Sequence, residues 1–524
     1  MFRRRIVARV GGAAALIASL VALTLSSSPV AAVNAHANYR AVCPAVPTGF
    51  AHCQELVVTD AQGNPLASAG PTGLSPLTID SVYGFPGVTS GAGNNYTIAL
   101  VDAYDDPTAA SDLSTFSAQF GLPPCTTSNG CFTKVNQTGG ITYPKSNSGW
   151  ALEISLDIEW AHAIAPGAKI LLVEASSNSF TNLMAAETYA KGHASYVSNS
   201  WGGGESSGES AYDSYFTGSY NGAPVSFFVA AGDSGLPAEY PSSSPNVISV
   251  GGTTLNFASD GSFLSETGWS SGGGGCSAYE TATDAQSSFS QYAQVNCNGK
   301  RATPDVALDA DPNSGVSVYD STPYYGQSGW FTVGGTSAST PMWAGASADA
   351  GQVLNAAYVY GSNINFRDIT VGNNGASCLT GYDLCSGRGS WLFGNVSTTT
   401  TTSTTTTSTT TTSTTTTTVA STGTMNVSVT AGTVSPRGKG YKVPLTVSAT
   451  DSTSAGIGGA GVTMDVYAEA CGGTLAASST GTTGNNGQVT FTFSTKSAGS
   501  WCAQATVTAS GYAAGSGQTS FTTP

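Results

Sequence analysis

Charged side chains are scarce in this 524-residue chain: Asp, Glu, Lys and Arg make up 9% of it, against about 25% in an average soluble protein. Basic residues are scarcer still, with 17 Lys and Arg against 31 Asp and Glu, and Arg3, Arg4, Arg5 and Arg9 fall at the extreme N-terminus. This excludes the basic footprint of a nucleic-acid-binding protein. Beyond the N-terminus no apolar run approaches the ~20 residues of a membrane-spanning helix, which excludes a helical lipid-spanning function. Only four histidines occur, His36, His52, His162 and His193, and none stands in an H-G-T setting. No pair of cysteines has CxxC spacing, so a zinc site is not expected. With so few charges, self-repulsion stays weak even when every carboxylate is protonated, and the composition predicts tolerance of acid.

What is present points outside the cell. The N-terminal arginines precede the apolar stretch Val10 to Leu25, and small-residue cleavage patterns follow at Val30-Ala31-Ala32 and Ala35-His36-Ala37. Residues 1–37 therefore read as a secretory signal. The ten cysteines fall into sequence-local couples, 43 with 53, 125 with 131, 276 with 297, 378 with 385 and 471 with 502. Five short-range disulfides in an oxidising, extracellular compartment are the economical reading.

Composition also divides the chain. Ser397 to Thr418 contains only Thr and Ser, with Ser403, Ser408 and Ser413 marking a five-residue repeat. Such a run has nothing apolar to bury, and 397–420 reads as an extended, glycosylated linker. After it, period-two patterns (Tyr441, Val443, Leu445, Val447; Val462, Met464, Val466; Val489, Phe491, Phe493; Trp501, Ala503, Ala505, Val507) predict an Ig-like β-sandwich over 421–524 that could bind a surface or polymer. Before it, strand-like runs at Tyr96 to Val101, Lys169 to Val173, Val225 to Ala230 and Val247 to Val250 alternate with helical stretches such as Trp150 to Ala165 and Phe180 to Lys191. That pattern predicts an α/β domain over 75–396, a parallel sheet with helices on both faces. Residues 38–74 form a short N-terminal segment. Function belongs in loops at the carboxyl ends of the strands.

Three motifs carry chemistry. Gly334-Gly335-Thr336-Ser337-Ala338-Ser339-Thr340-Pro341 follows the strand-like Trp330 to Val333 and opens the helical Met342 to Leu354. A serine there has an exposed hydroxyl beside free backbone N–H groups, as a nucleophile needs, although an ordinary N-cap serine would look the same. Within Trp150 to Ala165, Glu153 and Asp157 lie about 40° apart on one helix face, while Glu159 lies about 240° and His162 about 180° away from Glu153. His162 cannot join that pair. The helix is too apolar to be mostly exposed, so the two carboxylates should share a proton with coupled titration. Asp233 follows the hydrophobic run Val225 to Ala231 in a glycine-flanked turn. No second D-[ST]-G occurs in the chain, which argues against an aspartic-protease pair. The other reading is an oxyanion-hole donor, which requires a protonated Asp233 and hence acidic operation or a raised pKa.

Glu153 and Asp157 four apart, Ser200-Trp201-Gly202, Ala231-Gly232-Asp233-Ser234-Gly235 and Gly335-Thr336-Ser337 to Pro341 resemble the sedolisin, or serine-carboxyl, peptidases in identity and order. The resemblance implies a subtilisin-like fold, with Ser337 as nucleophile, Glu153 as base, Asp157 as its partner and Asp233 at the oxyanion. It further implies that protein or peptide substrates pair with Ser200, Trp201 and Gly202 as an added β-strand. Asp102 matches an acid that in some relatives extends the Glu–Asp network with a tryptophan, here Trp201. Asp368-Ile369 and Gly381-Tyr382-Asp383 are similar to the family's calcium site, so Ca²⁺ held by Asp368, Ile369, Gly381 and Asp383 is expected. Relatives usually carry a long folded propeptide, whereas here only the segment with Cys43 and Cys53 precedes the core. The expected activity is a secreted endopeptidase working at acidic pH. A non-catalytic surface or adhesion protein on the same scaffold is the alternative.

Overall fold

The computed structural model describes residues 38–87, 96–361, 364–393, 425–437, 440–451, 455–468, 475–484, 486–508 and 515–524. The expected signal and the Thr/Ser run lie outside them. The chain divides into two compact units, Met1–Thr402 and Ser403–Pro524.

In the first unit, an eight-stranded sheet runs in the order Phe263–Gly268, Ile248–Phe257, Ser226–Ala230, Tyr196–Asn199, Thr97–Ala103, Lys169–Ala175, Phe132–Asn136, with Val306–Asp309 also paired to Ile248–Phe257. All neighbours are parallel except Phe263–Gly268. Every residue of Ser226–Ala230 and of Ile98 to Ala103 is buried, so these strands are covered on both faces. This is why their sequences read as continuous apolar runs and not as alternations.

Two helices place the chemistry. Asn147 caps Ser148–Ile164 by accepting from the N–H groups of Gly149 and Trp150, and only Ser148 escapes burial along its length. Acids on this helix are therefore held in the interior. Thr336–Ala350 packs against it, and a Cβ at Gly345 would stand 2.8 Å from Cβ of Ile164. The glycine allows the two helices to approach. The sequence places the start of this second helix at Met342; the structure starts it at Thr336, with Pro341 inside. Proline lacks the N–H that would serve the carbonyl of Ser337 four residues earlier, and the Ser200 hydroxyl reaches that carbonyl at 3.5 Å.

The N-terminal segment is built into this unit. Asn38–Ala41 and Leu56–Thr59 continue an antiparallel sheet with Gln327–Gly334 and Val316–Tyr324. The couples 43–53, 125–131, 276–297 and 378–385 are disulfides. Cys502 is also disulfide-bonded, while Cys471 lies outside the described residues.

The second unit holds two four-stranded sheets, their neighbours antiparallel. Val443, Leu445, Val447, Met464, Val466, Ala503 and Val507 meet in one core, as alternation predicts for strands buried on one face. Asn426–Ala431, Leu475–Thr482 and Gly515–Thr523 are strands beyond the four patterns read from the sequence.

Candidate active site

Ser337 is the second residue of its helix and is fully buried. Gly335, just before the helix, has φ +103°, and a Cβ there would stand 2.6 Å from Oδ2 of Asp233 and collide with the carbonyl oxygen of Gln54. Only glycine fits that turn. The Ser337 hydroxyl donates to the carbonyl of Ser200 at 3.2 Å, and the Ser337 N–H donates to the carbonyl of Gln54 at 2.9 Å.

Glu153 and Asp157 lie on the facing helix, both fully buried. Asp157 Oδ1 accepts from the Ser200 hydroxyl at 2.6 Å. Its other oxygen and both oxygens of Glu153 have no protein hydrogen-bond partner among the described residues. Burial pushes the Glu153 carboxyl well up, the nearby Glu55, Asp157 and Asp102 push it further, and the Ser337 hydroxyl pulls slightly the other way. Asp157 is likewise raised by burial and then by Asp102, against the hydrogen bond from Ser200. A buried cluster of this kind shares protons: it holds its last one well above the usual carboxylate range, while another carboxyl of the cluster is already ionised at lower pH.

Asp233 stands just past the end of its strand. Its Oδ1 accepts from Thr336 N–H at 2.7 Å and from the Thr336 hydroxyl at 3.0 Å, while Oδ2 is buried without a partner among the described residues. Burial raises its carboxyl to about 8, against both Thr336 hydrogen bonds and with help from Glu239. Of the two options left by the sequence, acidic operation or a raised pKa, the fold supplies the second. An aspartic acid protonated at Oδ2 is a hydrogen-bond donor, and that oxygen lies against Gly335, two residues before Ser337.

Asp102 is buried, without a hydrogen-bond partner among the described residues, and raised to about 8 by burial. It lies within electrostatic reach of Glu153 and Asp157, but Trp201 does not link to it: the indole N–H donates to the carbonyl of Val101 at 2.7 Å. His162 is a core residue whose Nε2 meets the carbonyl of Pro123 at 2.8 Å, and burial lowers it to about 4. It stays neutral over most of the pH range and away from the pair.

Ser200 leads into the strand Trp201–Gly204. One edge of that strand pairs with Glu239–Tyr240, and the other, where a substrate strand is expected, pairs with the chain's own His52–Cys53. Gln54 and Glu55 follow into the site. Glu55 is buried, its oxygens lack hydrogen-bond partners among the described residues, and carboxylate oxygens of Glu55 and Glu153 lie within 4.8 Å of each other. Sequence reasoning missed Gln54, Glu55 and Glu239. No local pattern marks them, because each is brought in from a distant strand or turn.

The two halves of the expected calcium site meet. Gly381 N–H donates to both oxygens of the exposed Asp368, at 3.1 and 2.9 Å. Asp383 accepts from the N–H groups of Leu379, Cys385 and Ser386 in the loop closed by Cys378 and Cys385. Ile369 is buried beside that disulfide. The donor atoms are oxygens, as a hard cation requires, but in this arrangement both carboxylates face N–H groups.

A buried serine at the start of a helix and an acid pair on the facing helix stand on a parallel α/β scaffold of subtilisin-like fold. Residues 135–374 match the Subtilase family. Among curated proteins, the chain is 32% identical to kumamolisin of Bacillus sp. (strain MN-32), over 62% of this chain and 63% of the relative. It is 27% identical to xanthomonalisin of Xanthomonas sp. (strain T-22), over 66% of this chain and 48% of the relative. The chain thus spans less than two thirds of the first and about half of the second. Among solved structures, Pseudomonas sedolisin, a serine-carboxyl proteinase complexed with two molecules of pseudo-iodotyrostatin, matches at 25% identity and a TM-score of 0.51, covering 62% of this chain and 96% of that one. Over its first unit the chain is similar to the sedolisins.

Proposed function

We propose that this chain is a secreted endopeptidase that hydrolyses proteins in acidic surroundings through an acyl-enzyme intermediate. The observation that carries the reading is the convergence of Ser337, the buried Glu153–Asp157 pair and the unpartnered oxygen of Asp233 on one spot. In this mechanism the Ser337 hydroxyl leaves the Ser200 carbonyl, attacks the peptide carbonyl and passes its proton to Glu153. Asp157, fixed by Ser200, orients Glu153. The Ser337 N–H and protonated Asp233 stabilise the tetrahedral oxyanion, and Glu153 returns the proton to the departing amine. Carboxylates suit such work at low pH, where an ordinary histidine of pKa ~6.5 would already be protonated. The four disulfides placed by the fold and the expected signal support an extracellular setting. In this reading the C-terminal unit is an Ig-like module that presents the enzyme to a surface or polymer.

The test is Glu153→Gln, which keeps the shape of the side chain and removes its ability to take a proton. Hydrolysis of acid-denatured casein at pH 4 is expected to fall by at least about a hundredfold, since general-base loss typically costs 10²–10⁴. Turnover within about threefold of the parent would assign the base to another group.

We also propose that Ca²⁺ binds where Asp368 and Asp383 meet the carbonyls of Ile369 and Gly381, taking the carboxylate oxygens now directed at N–H groups. A ligand bound only by the native state stabilises it by mass action. Chelation should therefore lower the melting temperature of the full chain, and added Ca²⁺ should restore it. An identical melting curve in verified metal-free protein would remove calcium from the account.

A further inference from the structure

A stretch of this chain's own backbone lies in the cleft and marks the path that an extended peptide takes there. His52 lies opposite Gly202 and Cys53 opposite Trp201 in antiparallel register, and Gln54 N–H donates to the carbonyl of Ser200 at 3.0 Å. The carbonyl of Gln54 receives the N–H of Ser337 at 2.9 Å, and its oxygen crowds the same face of Gly335 as Oδ2 of Asp233. A carbonyl in that place stands where an oxyanion would form. Gln54 therefore marks the position of the residue before a scissile bond, and Ala51 that of the fourth residue before it.

On the side away from Trp201–Gly204, the path is bounded by the loop that leads from the strand Lys169–Ala175 into the helix Phe180–Ala190. Phe50 bridges Ser179 in antiparallel fashion, and Phe180 N–H donates to the carbonyl of Gly49 at 3.1 Å. Asn178 grips Ala51 twice. Its main-chain carbonyl accepts the Ala51 N–H at 2.8 Å, and its side-chain Nδ2 donates to the Ala51 carbonyl at 2.7 Å. Both bonds reach main-chain atoms, so neither depends on which side chain stands there. The Tyr104 hydroxyl donates to Oδ1 of Asn178 at 3.0 Å, which turns the amide so that Nδ2 faces the peptide. Tyr104 has φ +67°, a left-handed conformation that a bulky residue rarely adopts and that its surroundings must hold in place. Its N–H donates to the carbonyl of Ala175 at 2.8 Å, and its ring lies 6.4 Å from that of Trp150, on the helix that carries Glu153.

We infer that Asn178, with its amide set by Tyr104, clamps the main chain of a protein substrate at the fourth residue before the cut. The inference rests on the peptidase reading and adds a binding residue to it. Such a clamp requires an extended chain with at least four residues ahead of the cut. It excludes proline from the fourth, because proline has no N–H to offer the Asn178 carbonyl. The substrate it suits is unfolded polypeptide cut within the chain, laid in as an added strand.

The experiment uses the full chain at pH 4 and two acetylated peptides with the same residues around the scissile bond, one with five residues before it and one with two. Acid-denatured casein is digested in parallel. The longer peptide should be cut with a kcat/KM about tenfold or more above the shorter, as two added hydrogen bonds allow. Asn178→Ala should lower that ratio by about tenfold. Tyr104→Phe, which keeps the ring beside Trp150, should lower it by about threefold, with the loss in KM and not in kcat, as for binding shared by ground and transition states. A longer peptide with proline at the fourth residue needs no variant, and the parent should cut it at about a tenth of the rate or less. Equal rates for the proline peptide, or no gain from the longer peptide, overturn the inference. So does an unchanged ratio in Asn178→Ala, or a variant that cuts both peptides faster than the parent, which would make Asn178 a fastener of the chain's own segment. In each of these cases casein hydrolysis by the parent leaves the peptidase reading standing, and failure of the parent to cut casein or peptide removes both.

Discussion

Replacing Ser337 by alanine is expected to lower hydrolysis of acid-denatured casein to below about a hundredth of the parent rate, because nucleophile loss typically costs several orders of magnitude. The fold should survive. Ser337 is a small buried side chain whose hydroxyl donates to the Ser200 carbonyl at 3.2 Å, and such a bond contributes about 1 kcal/mol. The helix start depends on Gly335 and on Thr336, whose N–H and hydroxyl both bond Asp233, and not on the hydroxyl of Ser337. A variant with an unchanged melting temperature and more than a hundredth of the parent activity would exclude Ser337 as nucleophile.

The second large effect is on stability against pH. Burial raises Asp102, Asp233 and Glu187 to about 8 and Asp320 to about 9, and it raises Glu159 and Asp309 well above the usual carboxylate range. In the unfolded chain such groups ionise near pH 4. Between pH 4 and 8 the native protein therefore holds protons that the unfolded chain has lost. Raising the pH through that interval favours unfolding. The stabilisation is fully present below about pH 4 and is lost as the pH climbs through the native values, the reverse of a protein held by salt-bridged carboxylates. Each group contributes at most about 1.4 kcal/mol per pH unit. Several acting together should lower the melting temperature by more than about 10 °C between pH 4.5 and pH 8. A melting temperature that rises over this interval would show that these carboxyls are ionised in the native state.

The parts of the site carried by local pattern were legible in the sequence. Glu153 and Asp157 are four residues apart, so helical geometry alone puts them on one face. Gly335 before Ser337 and the apolar run before Asp233 mark a turn into a helix and a strand end. Other features depend on long-range placement. Glu55 and Gln54 enter because Leu56–Thr59 pairs with Gln327–Gly334, more than 250 residues later, and Glu239 enters through a two-residue strand. Neither event leaves a periodic signal. The link from Asp102 to Trp201 failed for a simple reason: the indole N–H finds a backbone carbonyl closer to hand. In the C-terminal unit, Leu475–Thr482 and Gly515–Thr523 are rich in Ala, Ser, Thr and Gly. Their alternation carries little apolar contrast, so pairing with stronger neighbours defines them.

In the proposed function carboxyl groups, and not a histidine, run serine-based peptide hydrolysis. Its most direct test is the rate of casein hydrolysis by the full chain from pH 2 to 8, under conditions where the protein stays folded. The expected profile is a bell with its maximum below neutrality. The rise follows loss of the first proton from the coupled Glu153–Asp157 pair, and the fall follows ionisation of Asp233 as the pH approaches about 8. A rate that climbs steadily to pH 8, as histidine-based catalysis would give, or no hydrolysis at any pH, would contradict it.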